Sequence, residues 1–286
     1  MFVIIGLITV FGCVIGGYMA MGGHLDILMQ PFELVIIGGS GLGAYIAANP
    51  KNVLANTMGA ILTGMKGSKY GKTEYLELLT LLYQVFKLSK SKGMLALESH
   101  VENPHESNIF SQYESFKSDH HATEFLCDYL RLLTLGTDSP HEIDALMEQE
   151  LDTHHAEQHE LANALNTLSD SFPALGIVAA VLGVIKTMTY ITAPPEVLGE
   201  KIAAALVGTF LGILLCYGVF GPIARIVGQV YEMDGKYFQC MRVGLVAHVS
   251  GYAPAISIEF ARKAIAESVR PTFAEVEDTV SNLPST

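Results

Sequence analysis

The stretch IAAALVGTFLGILLCYGVFGPIA, residues 202–224, carries no charged residue from end to end. A helix needs about 20 such residues to cross the hydrocarbon core of a bilayer. Working outward, residues 172–192 form a similar run just before it, and residues 2–21 and 33–49 form two more near the N-terminus. A soluble domain of this size would space its apolar residues at helical or strand periodicity instead of stacking them in unbroken runs. The runs predict an all-α polytopic membrane protein with four transmembrane helices in two hairpins. The expected division is a first transmembrane hairpin over residues 1–50, a helical cytoplasmic domain over 51–170, a second hairpin over 171–226 and a cytoplasmic C-terminal segment over 227–286.

Composition narrows the function. Half of the 286 residues are hydrophobic, 16% are charged and the formal net charge is −12. That balance excludes nucleic acid as a partner, which needs a basic footprint. With no Trp in the chain, the interfacial aromatic belt falls to residues such as Tyr18, Tyr45, Tyr190 and Tyr217. The four cysteines show no paired spacing, and Cys13 and Cys216, inside apolar runs, are expected to be buried free thiols. The first run lacks a basic leader and a small-residue cleavage site, so it reads as an uncleaved span.

Basic residues set the orientation. The connector 22–32 has no Lys or Arg and the connector 193–201 has only Lys201, beside Glu200. Lys51, Lys66 and Lys69 follow the second span, and Arg225, Lys236 and Arg242 follow the fourth. The positive-inside rule then places both termini and the large middle segment in the cytoplasm.

Glycines four apart, Gly12 with Gly16 and Gly39 with Gly43, predict close helix packing in the first hairpin. The run from Gly39 to Ala44 also fits a loose dinucleotide fingerprint. The apolar stretch continues straight through it with no βαβ context, which leaves a packing motif. In the middle segment Leu76, Leu78, Leu79, Leu82 and Val85 line one helix, and Ser139-Pro140-His141-Glu142 starts another running toward Leu168. Gly251-Tyr252-Ala253-Pro254 breaks the chain before an amphipathic helix around 256–269, and the polar tail from Arg270 is expected to be partly disordered.

Ionisable groups inside a membrane are costly and mark pathways. No Asp or Glu falls in the middle of any predicted span, so ion chemistry by carboxylate would need a carboxylate from another subunit. Asp170 reads as a cap on the third span, and Lys186 as a side chain snorkelling to the interface. Pro173 and Pro222 fall at similar depth near the cytoplasmic face, as helix ends or as a hinge beside an ion path. Ala180, Gly208 and Thr209 lie near mid-depth. The histidines at 120, 121, 154, 155 and 159 lack a zincin pattern and read as a solvated helix surface; no metal is expected.

The segment Ala205–Leu214 with Pro222 after it resembles the signature of the flagellar motor stator family MotA. Ser171–Ala180, Gln30–Ile37, Glu102-Asn103-Pro104 and Gly251–Pro254 resemble it too, so that the likeness covers nearly the whole chain. The resemblance implies a non-enzymatic stator subunit of the bacterial inner membrane, serving flagellar motility and chemotaxis. It implies a homo-oligomeric ring around a MotB dimer that supplies the membrane aspartate and the peptidoglycan anchor. Torque would pass to the rotor protein FliG through Lys90 and Glu98, with Pro173 and Pro222 gating the ion path. Sodium-driven relatives tend to carry threonines at the positions of Ala180 and Gly208; only Thr209 of that set is present here, which implies coupling to protons and no other cofactor. Gly212 belongs to the helix-packing set. The alternatives are an ExbB- or TolQ-like energiser, usually of three spans, and a self-sufficient ion channel.

Overall fold

The computed structural model describes residues 2–137 and 139–283, and among them every regular element is a helix. Four helical stretches are long and apolar enough to cross a bilayer: Phe2–Ala20, Leu25–Ala48, Pro140–Met188 and Pro195–Val249. The chain divides into two compact units, one holding the residues up to Gly67 with Glu157–Val230, the other holding Ser68–Ala156 with the residues from Tyr231 onward. This division departs from cuts at 50, 170 and 226. The helices Pro140–Met188 and Gly221–Val249 do not stop where their apolar stretches stop.

The first unit carries the spans. Its core is small, built from Ile37, Tyr45, Val53, Ala164, Leu168, Phe172, Ala179 and Cys216. The first span has no buried residue, and Cys13 is exposed on it, which corrects the expectation of a buried thiol there. Gly22 turns the chain after this span with φ of +83°, a conformation open to glycine and costly for most other residues. The second span begins earlier than residue 33, with the short helices Leu25–Leu28 and Pro31–Leu34 leading into the π-turn Val35–Gly39 and the helix Ser40–Ala48. A Cβ added at Gly12, Gly16, Gly39 or Gly43 would meet nothing within 4 Å. These glycines therefore do not pack helices together within this chain. Gly41 does: a Cβ there would sit 2.9 Å from the Phe172 ring. The four-residue spacing finds a glycine-lined face without saying which face meets a neighbour.

The second unit has the larger core. Helix Lys72–Lys92 buries Leu78, Leu79, Leu82, Val85 and Phe86 against His120–Thr134, Pro254–Lys263 and the far part of Gly221–Val249, which supplies Tyr237, Met241 and Leu245. Tyr70 stacks on Tyr237 with centroids 3.8 Å apart, and its hydroxyl donates to Asp119 at 2.6 Å. Burial alone would raise the Asp119 carboxyl, but the hydrogen bonds from Lys69 and Tyr70 outweigh it and hold the group below the ordinary carboxylate range. The amphipathic helix after the break is Pro254–Lys263, shorter than 256–269. The tail is ordered rather than disordered over Phe273–Ser281. A capping box between Thr272 and Glu275 starts this helix, Glu275 pairs with Lys72 at 2.7 Å, and Val276 enters the core.

Candidate functional site

The third and fourth spans meet backbone to backbone. A Cβ added at Gly212 would lie 2.5 Å from the Phe172 carbonyl oxygen and 2.9 Å from the Gly176 Cα. One added at Gly176 would lie 2.7 Å from the Gly208 carbonyl oxygen, and one at Gly183 would lie 2.8 Å from the Ala205 Cβ. Small residues let helices approach this closely where lipid gives no hydrophobic drive for association. Gly212 was anticipated from the sequence; Gly176 and Gly183, its counterparts on the third span, were not.

Both prolines flank this seam. Pro173 stands inside the continuous helix Pro140–Met188, so neither it nor Asp170 marks a helix end. Its missing N–H leaves the Ser169 carbonyl without its usual helical donor. On the fourth span the seven residues Leu214–Phe220 widen into a π-helix just before Pro222, with the Gly221 N–H bonded to the Cys216 carbonyl. The Ser169 hydroxyl donates to that same carbonyl at 3.0 Å, and the rings of Phe172 and Phe220 lie 4.8 Å apart. Each proline thus sits beside a cross-helix contact, on a backbone loosened from regular α-geometry. π-turns inside α-helices often accompany functional sites for this reason.

Ala180 and Gly208 are adjacent: a Cβ at Gly208 would stand 3.0 Å from the Ala180 backbone nitrogen and 3.0 Å from the Ala179 Cβ. Thr209 is half-buried and, among the described residues, its hydroxyl makes no side-chain hydrogen bond. The same place holds a carboxylate that sequence reasoning missed. Glu33 is only 8% exposed, and its Oε2 lies 3.2 Å from where a Gly208 Cβ would be, with no hydrogen-bond partner among the described residues. The spans are therefore not free of buried carboxylates. Glu33 stands at the edge of its apolar run in sequence, but the early helical start after Gln30-Pro31 carries it inside the packed bundle. It lines a cavity of about 320 Å³ shared with residues of the third and fourth spans. Lys186 lines the same cavity and is exposed.

In the second unit, Lys90 lies in the last turn of Lys72–Lys92 and Glu98 opens the helix Glu98–Glu102, after a turn in which Gly93 takes φ of +85°. Both are exposed, and neither has an ion-pair partner among the described residues; the Lys90 ammonium donates to the Gly251 carbonyl at 3.1 Å. Beneath Lys90, His248 is buried, stacked on Phe86 and hydrogen-bonded to Ser89 at 2.6 Å. Burial, with the nearby Lys90 charge, pushes its pKa down to about 4. The histidines at 121 and 154 are not merely solvated: their Nε2 atoms lie 3.1 Å apart and both rings pack on Phe238.

Comparison with known proteins places this arrangement. The family model "Motility protein A N-terminal" matches residues 4–93, and "MotA/TolQ/ExbB proton channel family" matches residues 117–237. The chain is 45% identical over 280 residues to Motility protein A of Salmonella typhimurium, covering 98% of this chain and 95% of that one. It is 37% identical over 276 residues to chemotaxis protein LafT of Vibrio parahaemolyticus, covering 96% of each. The fold is similar to that in the structure of C. jejuni MotAB, with a TM-score of 0.78 at 19% identity over 93% of this chain and 95% of that one. It is also similar to the flagellar MotAB stator complex from Bacillus subtilis, with a TM-score of 0.72 at 23% identity over 90% and 92%. The chain, a multi-pass membrane protein, belongs to the motility protein A branch of the MotA/TolQ/ExbB proton channel family.

Proposed function

We propose that this chain is the ring-forming subunit of a flagellar motor stator, which with a MotB partner in the inner membrane turns inward proton flow into torque on the rotor protein FliG. The observation that carries the reading is the seam between the third and fourth spans, closed by glycine backbone contacts and flanked by Pro173 and Pro222. A partner carboxylate presented near Thr209 loses its charge on protonation, and the ring steps around the partner while Lys90 and Glu98 push the rotor. The exposed first span and the open glycines 12, 16, 39 and 43 are the surface left for neighbouring copies. Lysine and arginine placement supports cytoplasmic termini.

Protons suit the site better than sodium. A hard cation needs several oxygen ligands in place of water. Ala180 and Gly208 supply no side-chain oxygen, and a side chain at 208 would press on Ala179, Ala180 and Glu33 at 3.0–3.2 Å. Each proton contributes about 2.3 kcal/mol per 100 mV, so the packing states of the ring must be nearly equal in energy. Because Glu33 is a buried carboxylate of this chain, dependence on a partner rests on the family membership rather than on carboxylate-free spans.

The test is swimming in a strain lacking its own stator ring protein, complemented by this chain with its cognate partner, while sodium and a protonophore are varied separately. Motility that survives sodium removal and collapses with the protonophore supports the reading. Loss on sodium removal refutes proton coupling. Ion flux through the purified chain without its partner favours the self-sufficient channel, and no motility despite partner binding favours the ExbB-like energiser.

A further inference from the structure

Glu33 has no role in the scheme above, yet its position is hard to explain as packing. It is more than nine-tenths buried, one carboxylate oxygen has no hydrogen-bond partner among the described residues, and that oxygen lies 3.2 Å from where a Gly208 Cβ would be. An orphaned buried carboxylate is costly to keep, and inside a membrane such a group is a functional candidate by default. An aliphatic side chain would fill the same space without that cost.

The surroundings give the carboxylate a way out. The cavity of about 320 Å³ above it also touches Asp26, Lys186, Tyr190, Glu200 and Lys201. These residues come from the start of the second span, from the end of the third span and the turn after it, and from the first turns of the fourth. From Lys201 to Gly208 is seven residues, about 10 Å along a helix. Glu33 therefore shares a mixed apolar and polar cavity with charged side chains that lie near the short connectors, the ends the basic-residue pattern assigns to the outside. On its inner side it abuts the Ala180–Gly208 contact, next to Thr209. The carboxylate occupies the space a side chain at position 208 would otherwise fill.

We infer that Glu33 is a proton-loading site on the outer limb of the ion path, receiving the coupling ion from the cavity and passing it toward the seam between the third and fourth spans. This rests on the proton-driven stator reading. A hydronium ion arriving through the cavity gives its proton to the Glu33 carboxylate and leaves as water. The O–H bond so formed breaks when the proton moves on to the partner's carboxylate, which restores the Glu33 anion. Asp26 and Glu200 at the mouth draw cations in, and Lys186 and Lys201 oppose them, so the mouth's charge sets how readily the site loads.

The experiment compares wild-type, Glu33→Gln and Glu33→Asp chains, each with the cognate partner, by bead rotation in cells lacking their own stator. Speed is read at high and low load as external pH runs from mildly acidic to mildly alkaline. Near stall, where torque limits, Glu33→Gln should turn close to wild type. At low load, where ion delivery limits, it should fall several-fold and lose its dependence on external pH, with Glu33→Asp recovering part of both. A Glu33→Gln motor with an unchanged low-load speed and pH profile overturns the inference. Should neither Glu33 variant accumulate in the membrane, the exposed Lys186→Gln decides. Removing that positive charge should move the half-maximal low-load speed to higher external pH, and an unmoved profile overturns the proposal. A wild-type motor that follows sodium instead of protons overturns the stator reading beneath it, which separates the two failures.

Discussion

The Ser169 hydroxyl donates to the Cys216 carbonyl across the third and fourth spans at 3.0 Å. One residue thereby serves two breaks in regular helix, because Pro173 denies the Ser169 carbonyl its donor and the π-turn before Pro222 presents the Cys216 carbonyl sideways. Ser169→Ala should leave insertion and the π-turn intact, since Gly221 still donates to Cys216. It should destabilise the hairpin unit by about 1 kcal/mol, the usual worth of an interhelical hydrogen bond in a membrane. Thermal unfolding of the detergent-solubilised complex measures this. Pro173→Ala and Pro222→Ala restore backbone donors; each should slow rotation while the complex still assembles, and wild-type speed in both would sink the gating role.

Glycine substitutions separate packing inside the chain from surfaces that face outward. Gly212→Ala places a methyl 2.5 Å from a backbone oxygen and 2.9 Å from a Cα, neither of which is a flexible side-chain end. The spans must move apart, at the cost of about 1–3 kcal/mol typical of overpacking, and rotation should be lost. Gly12→Ala meets nothing within 4 Å and should leave the subunit's own unfolding temperature unchanged. If Gly12→Ala instead lowers the amount of assembled complex, the open glycine face is a contact between copies.

Lys90 and Glu98 should behave as surface charges with a function. Neither is tied into an ion pair among the described residues, so Glu98→Lys should shift stability by no more than about 0.5 kcal/mol, and Lys90→Glu, which also gives up the bond to the Gly251 carbonyl, by about 1 kcal/mol. Torque should fall in both, and the double charge reversal should not recover it unless the rotor's charges are reversed as well. Unchanged torque in the single reversals would remove these residues from the rotor-facing surface.

The spans were legible because long, nearly uncharged apolar runs of bilayer length have few other uses. What the linear pattern hides is lateral position. Glu33 sits at the edge of an apolar run in sequence and on the wall of a cavity in space, because Pro31 starts the helix early and turns that edge toward the third and fourth spans. Asp170 read as a cap and Pro173 as a helix end or a hinge, yet the helix runs on through both, with cross-helix contacts at Ser169 and Phe172. The C-terminal helix was visible in Thr272 and Glu275, a capping box three residues apart, but the polar composition around it outweighed that signal.

His248 makes the second unit's stability depend on pH, and the sign follows from its burial. At 7% exposure, stacked on Phe86 and under the Lys90 charge, its pKa falls to about 4, against about 6.5 in an unfolded chain. Between those values the unfolded chain binds a proton that the folded one does not, so stability falls as pH drops from about 6.5 to about 4 and levels off below. The full shift corresponds to at most about 3 kcal/mol. Denaturant unfolding of the complex across that pH window should show the decline, followed by a probe confined to the second unit. His248→Gln, which keeps a partner for Ser89 without the titration, should flatten the slope. If the slope is the same in wild type and His248→Gln, other groups carry the acid sensitivity and His248 does not titrate on unfolding.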